Sequence, residues 1–168
     1  GWISSGGAGT MGYGLPAAIG AQLGCPGEVV LSINGDGGFQ MMMCELATAA
    51  FHCLPIKFII IDNRYLGMVR QWQQLFCENR LSGVDLEGNP DFVKIGEAYG
   101  IKGFHVKRLD ELQPAIKSAL EYNEGPVIVH AEVVRQDNVF PMIPAGGTVD
   151  DMLLEHPVEA NRKPKGVL

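Results

Sequence analysis

A chain of 168 residues, 46% hydrophobic and 19% charged, has the composition of one folded domain with a real core rather than of a disordered segment. Its net charge of −6, with no lysine- or arginine-rich stripe, argues against nucleic acid as the main partner. The longest apolar run, 58–61, is too short to span a bilayer, and Gly1-Trp2-Ile3-Ser4-Ser5 lacks the basic start and apolar stretch of a signal peptide, so no membrane is expected; cysteines that read as reduced fit a cytoplasmic location.

In chain order, Gly6-Gly7-Ala8-Gly9-Thr10-Met11-Gly12-Tyr13-Gly14 reads as a glycine-rich loop, followed by a helix over 15–23 with Pro16 in its first turn. A buried strand over 28–33 leads into the turn Gly35-Asp36-Gly37-Gly38, and good helix formers then predict a helix over 39–51. The strongest strand, 56–61, is broken by Asp62-Asn63-Arg64-Tyr65-Leu66-Gly67, after which 68–76 is helical and 78–90 a loop. Asp91 is the expected N-cap of a helix ending at Gly100. A weaker strand over 102–106, an amphipathic helix over 109–122 and a last apolar strand over 126–133 complete the pattern. From Gln136 the chain reads as an extended tail rich in proline and glycine, with one short helical stretch at 149–155. The opening at Gly1 rather than methionine points to a piece of something longer.

The cysteines (Cys25, Cys44, Cys53, Cys77) show no C-x-x-C spacing and read as reduced, with Cys44 and Cys53 in apolar stretches as small hydrophobes. His130-Ala131-Glu132 has the H-x-E of a zinc deaminase, but no P-C-x-x-C follows. His52, His105 and His156 read as ordinary.

Strands alternating with helices, each strand nearly apolar, predict an α/β fold: a three-layer, doubly wound, mostly parallel sheet with helices on both faces. Ligands of such sheets bind beyond the carboxyl ends of the strands, where both unusual turns fall. For Gly35-Asp36-Gly37-Gly38, a dinucleotide fingerprint fails because Gln40 stands at its last glycine, and a P-loop fails for want of Gly-Lys-Ser/Thr. A purely structural turn with Asp36 capping the next helix stays open. The second turn supplies the other reading. Asp36, the Asn63 amide and the Tyr65 carbonyl are hard oxygen ligands suited to Mg²⁺ or Ca²⁺, so Asp36 would hold the cation that neutralises a phosphate lying at the start of the following helix.

Gly35-Asp36-Gly37, closing about two dozen residues later at Asn63, resembles the signature of thiamine-diphosphate-dependent enzymes, except that Asp62 stands where the family commonly has a first asparagine. Closer still, 6–18, Leu66-Gly67-Met68-Val69-Arg70-Gln71-Trp72-Gln73, Asn89-Pro90-Asp91-Phe92 and Pro141-Met142-Ile143-Pro144 are similar to acetolactate (acetohydroxyacid) synthase large subunits, over about 5–154. The resemblance implies a single C-terminal thiamine-diphosphate-binding domain over 1–168, with 136–168 as its tail and the pyrimidine-binding and middle domains lying outside this sequence. It implies Asp36, Asn63 and the Tyr65 carbonyl as Mg²⁺ ligands, and Gly9, Thr10 and Met11 against the aminopyrimidine. Gly35, Gly37 and Gly38 would lie at the diphosphate, with Leu66, Gly67 and Met68 continuing the cofactor loop. Met68 and Trp72 would shape the acceptor pocket, and Ala145-Gly146-Gly147 would lie near its mouth.

The activity implied is decarboxylation of pyruvate and carboligation to a second 2-oxo acid, giving acetolactate or acetohydroxybutyrate for branched-chain amino-acid synthesis. The activating glutamate would come from the absent domain of a neighbouring subunit, so no catalytic acid or base is assigned here. FAD, where the full enzyme carries it, would bind a domain not present, and a regulatory small subunit stays open. Glyoxylate carboligase or another 2-oxo-acid decarboxylase is the alternative within the superfamily. A non-catalytic cofactor-binding or assembly module is the alternative outside it.

Overall fold

The computed structural model describes residues 1–155; His156 and the remainder of the tail read over 136–168 lie outside them. Contacts divide the chain into two compact units: Gly1–Leu66 with Ser82–Gln136, and Gly67–Leu81 with the described part of Asp137–Leu168.

The first unit is built on four parallel strands, β1 (Leu31–Gly35), β2 (Lys57–Asp62), β3 (Lys102–Val106) and β4 (Val127–Glu132), in the order β1-β2-β4-β3. One face carries Phe58 and Ile60 of β2 and Ile128 of β4. They pack with Leu15, Ala18 and Ile19 of α1 (Gly14–Gly24), Phe39 of α2 (Asp36–Met42), Leu46 and Ala49 of α3 (Leu46–Phe51), and Phe92 of α5 (Phe92–Ala98). Each large side chain fully buried here stabilises the fold by about 1.5–3 kcal/mol relative to exposure. The opposite face packs Val127, Val129 and Ala131 of β4 and Val106 of β3 against Ala115 and Ala119 of α6 (Leu109–Glu121). Leu31 and Ile33, on that same face of β1, are exposed.

The sheet agrees with the predicted α/β class, but several boundaries move. β1 starts at Leu31, not at 28, because the Glu28 amide donates to the Cys25 carbonyl (3.1 Å) and the Glu28 carbonyl accepts from Gln22 Nε2 (3.1 Å), which holds this segment as a turn. Gly35-Asp36-Gly37-Gly38 is not a separate turn: Gly35 is the extended N-cap, without a side-chain cap, and Asp36 already stands in the first turn of α2. The helix expected over 39–51 is split by a 3₁₀ turn at Met43–Glu45, where Thr48 Oγ1 donates to Glu45 Oε2 at 2.8 Å. Asp91 caps α5 as expected, accepting from the amides of Val93 (3.0 Å) and Lys94 (3.1 Å). All four cysteines are free, as predicted, but all are exposed, so Cys44 and Cys53 are not core hydrophobes.

The second unit centres on α4 (Gly67–Phe76), a helix whose buried polar residues hold the tail. The Gln71 side chain accepts from the Val139 amide (2.8 Å) and donates to its carbonyl (2.9 Å), and Arg70 donates to the Asp137 carbonyl (3.3 Å) and to Asn138 Oδ1. The tail is more than extended chain: Met142 and Leu153 exchange backbone hydrogen bonds at 2.8 and 2.9 Å, and the helical stretch is a 3₁₀ turn at Val149–Asp151. Among the described residues no helix is long and apolar enough to cross a membrane.

Candidate functional site

Parallel pairing of β1 with β2 sets Gly35 opposite Ile61, so Asp36 and Asp62 leave neighbouring strand ends on the same rim. Asp36 is 1% exposed and Asp62 3%. Between them stands Asn89, from the loop before α5. Its Nδ2 donates to Asp36 Oδ2 (2.7 Å) and to Asp62 Oδ1 (3.1 Å), while its Oδ1 accepts from Gln40 Nε2 (2.7 Å). Asp62 is saturated: Oδ1 also accepts from the Arg64 amide (3.0 Å), and Oδ2 lies 2.8 Å from His130 Nε2. Asp62, standing where the resembled family commonly has an asparagine, thus bonds the turn amide and the buried histidine.

The strand register puts His130 beside His105 on one row of the sheet, and their rings stack with centroids 4.4 Å apart. His105 Nε2 lies 2.8 Å from Glu132 Oε1, and Glu132 Oε2 meets Arg64 at 3.1 Å, which returns the network to the turn. Burial pushes the Asp36 carboxyl up to about 6, with contact to Asp62 adding to the shift and the Asn89 hydrogen bond opposing it. For Asp62 burial also works upward, but the bonds from His130, Asp36 and the Arg64 amide prevail and hold it below the ordinary carboxylate value. A bound cation would favour the charged form of Asp36.

The turn after β2 is pinned on both sides of Tyr65. The Arg64 carbonyl accepts from the Leu86 amide and the Leu66 amide donates to the Val84 carbonyl, each at 2.9 Å. Asn63 Oδ1 accepts from the Tyr65 amide at 3.1 Å, and the Arg135 guanidinium lies 4.6 Å from the Tyr65 ring centre. Arg64 takes a left-handed φ of 56° to close the bend.

The glycine-rich loop arrives from the other side. Gly9 ends a 3₁₀ turn, and the Thr10 amide donates to Ser5 Oγ at 2.9 Å. Gly12, at φ 83°, is buried against α2, where a Cβ would stand 3.0 Å from Met42 Cγ. A Cβ on Gly37 would meet Leu66 Cδ2 at 2.7 Å and Met11 Cε at 3.4 Å, so the glycine is what lets these three residues converge. On Gly38 it would lie 3.8 Å from the Gly12 nitrogen. Gly35, Asp36, Gly37, Gly38, Met11, Leu66, Asn63 and Tyr65 thus belong to one unit, with Gly9 and Thr10 exposed on its loop. Gly67, Met68 and Trp72 belong to the second unit, where Met68 is half exposed and the Trp72 ring packs 4.9 Å from Phe76.

The donor set fits a hard cation. Among the described residues no three His, Cys, Asp or Glu side chains are grouped to hold a metal, so an ion on this rim would draw on one carboxylate with amide and carbonyl oxygens. The residues sequence reading missed are Asn89, Gln40, His130 and His105. The available signal was a histidine in each of two strands, Phe104-His105-Val106 and Val129-His130-Ala131, where an apolar residue would ordinarily stand.

Residues 1–131 match the model of the thiamine pyrophosphate enzyme C-terminal TPP-binding domain. The chain is 50% identical over 153 residues to the acetolactate synthase large subunit of Pyropia yezoensis, covering 90% of this chain and 26% of that protein. It is 45% identical over 152 residues to the acetolactate synthase isozyme 2 large subunit of Escherichia coli, covering 90% and 28%. Among solved structures, the thiamine diphosphate-dependent 4-hydroxybenzoylformate decarboxylase of Rhodococcus jostii superposes with a TM-score of 0.70 at 33% identity, covering 79% of this chain and 24% of that one. The chain therefore spans about a quarter of the length of the relatives it matches. By this match over residues 1–131, the chain belongs to the thiamine pyrophosphate enzymes, as a C-terminal TPP-binding domain.

Proposed function

We propose that the chain is the C-terminal cofactor domain of a longer acetolactate synthase large subunit, decarboxylating pyruvate and joining the product to a second 2-oxo acid. The observation that carries this reading is the identity of 45–50% to acetolactate synthase large subunits across 90% of the chain. When bound, thiamine diphosphate would supply the nucleophilic carbon and electron sink for that chemistry. Asp36, Asn63 and the Tyr65 carbonyl would hold Mg²⁺. Gly9, Thr10, Met11, Gly35, Gly37, Gly38 and Leu66 would line the cofactor, Met11 as a soft apolar prop beside Gly37. Roles for Gly67 and Met68 toward the cofactor, and for Met68 and Trp72 toward the acceptor, rest on resemblance alone. The described residues carry no assigned acid or base for activation; a second subunit would contribute it in a dimer or tetramer. The four free cysteines fit a reducing compartment such as the cytoplasm.

The test is product analysis on the longer polypeptide with Mg²⁺ and thiamine diphosphate. Pyruvate alone is expected to give acetolactate, and added 2-oxobutyrate to give acetohydroxybutyrate. Preferential consumption of glyoxylate would instead favour the carboligase reading. The 168-residue chain by itself is expected to turn over nothing, and acetolactate formed by it would contradict the need for a second domain.

A further inference from the structure

Asn89 lies far in sequence from both turns, yet its one amide group touches both carboxylates of the rim. We infer that Asn89 is the positioning residue of the cation site: it fixes the Asp36 carboxylate through one N–H while bracing itself on Asp62 through the other. The inference rests on the reading of Asp36 as a cation ligand and adds to it the group that aims that ligand.

Three observations carry it. The amide is oriented: Gln40 Nε2 donates to Asn89 Oδ1 at 2.7 Å, which leaves Nδ2, with two hydrogens, as the only group able to face the acids. The brace is rigid, because Asp62 spends Oδ2 on buried His130 and shares Oδ1 with the Arg64 amide. An ionised Asp62 accepts only, so His130 carries its proton on Nε2 and donates it. The backbone of Asn89 is also fixed, since its amide donates to the Leu86 carbonyl at 2.9 Å, and Pro90 and the Asp91 cap of α5 follow directly. The result is a run of contacts, His130 to Asp62 to Asn89 to Asp36, beside the direct contact of Asp36 with Asp62. It occupies Asp36 Oδ2 and sets the direction of the whole carboxylate. Partners of this kind, one shell behind a metal ligand, typically alter affinity 10–100-fold when removed.

The experiment is an electron-paramagnetic-resonance titration of Mn²⁺, without substrate, into the longer polypeptide carrying this domain, well below its melting temperature. Asn89→Ala is expected to raise the Mn²⁺ dissociation constant about 10-fold. His130→Phe, which keeps a ring beside His105 but gives up the bond to Asp62, is expected to raise it a few-fold, and less on top of Asn89→Ala than alone. A merely structural Asn89 would move the melting temperature and leave the Mn²⁺ constant at the wild-type value, which would overturn the inference; so would fully additive effects of the two changes. If Asn89→Ala does not fold, Gln40→Met frees the amide without removing it, and an unchanged constant there counts against the inference equally. Failure of the wild-type protein to bind Mn²⁺ at all would instead remove the cation reading itself, and this inference with it.

Discussion

Two neighbouring regions on one face of the sheet are built on opposite principles. Lower down, Phe39 meets Phe58 and Phe92 edge-on, with ring centres 6.3 and 5.6 Å apart, in a cluster of apolar side chains sealed from solvent. Nearer the carboxyl ends of the strands, Asp62, His130 and Asp36 are enclosed almost as well, and with the half-buried Asn89 they are joined by directed hydrogen bonds. The two regions touch, since the Phe92 ring stands 5.1 Å from that of His130. The apolar cluster needs only volume and shape and tolerates exchanges that conserve them. The polar row needs every donor matched to an acceptor, and one missing partner strands the rest.

The contrast can be broken by mutation. Phe39→Ala should be the most damaging change, costing about 3–5 kcal/mol in urea unfolding, because the space it leaves is walled by two rings and cannot collapse. A cost under 1 kcal/mol would mean that the cluster is loosely packed. His130→Phe preserves volume and should still cost about 1–3 kcal/mol, by leaving Asp62 Oδ2 buried without its donor. Combined with Asp62→Asn it should cost less than the two changes added together, and simple additivity would show that the pair is not coupled.

The smallest effect is expected where a similar polar contact lies at the surface. Asp91→Ala removes the cap of α5 and should cost about 1 kcal/mol at neutral pH. The Lys94 and Val93 amides hold the Asp91 carboxyl below its ordinary value of 3.8 despite some opposing desolvation. The folded state therefore binds this proton less readily than the unfolded one. The stabilisation should be complete above about pH 4 and fade as the pH falls through the folded pKa, whereas Asp91→Asn, an uncharged cap, should lack that step. Denaturation curves between neutral pH and pH 3 separate the two variants.

The same contrast explains what the sequence disclosed. The apolar region announces itself locally: residues 56–61 and 126–133 are mostly hydrophobic stretches rich in β-branched side chains, and the sheet and its α/β class follow from them. Asp36 and the 62–65 bend were legible because glycines and polar residues interrupt such runs abruptly. Asn89 was not, because its function comes from bonds to residues 53 and 27 positions away, and no periodicity marks a residue whose partners are that distant. His130 sat in a strand where pattern reading expects an aliphatic side chain, and its meaning appears only once Asp62 is placed 2.8 Å away. Gln71 and Arg70 were hidden in the same way, as polar helix residues whose burial depends on the Val139 and Asp137 backbone.

The most direct test of the rim is calorimetric titration of thiamine diphosphate into the longer polypeptide, with and without Mg²⁺, for the wild type and Asp36→Ala. Binding that requires Mg²⁺ in the wild type and disappears in Asp36→Ala, with the circular dichroism of the two proteins superimposable, is the expected result. Equal affinity with and without the metal, or an Asp36→Ala protein that binds as the wild type does, would contradict the assignment of this rim to a cation-held diphosphate.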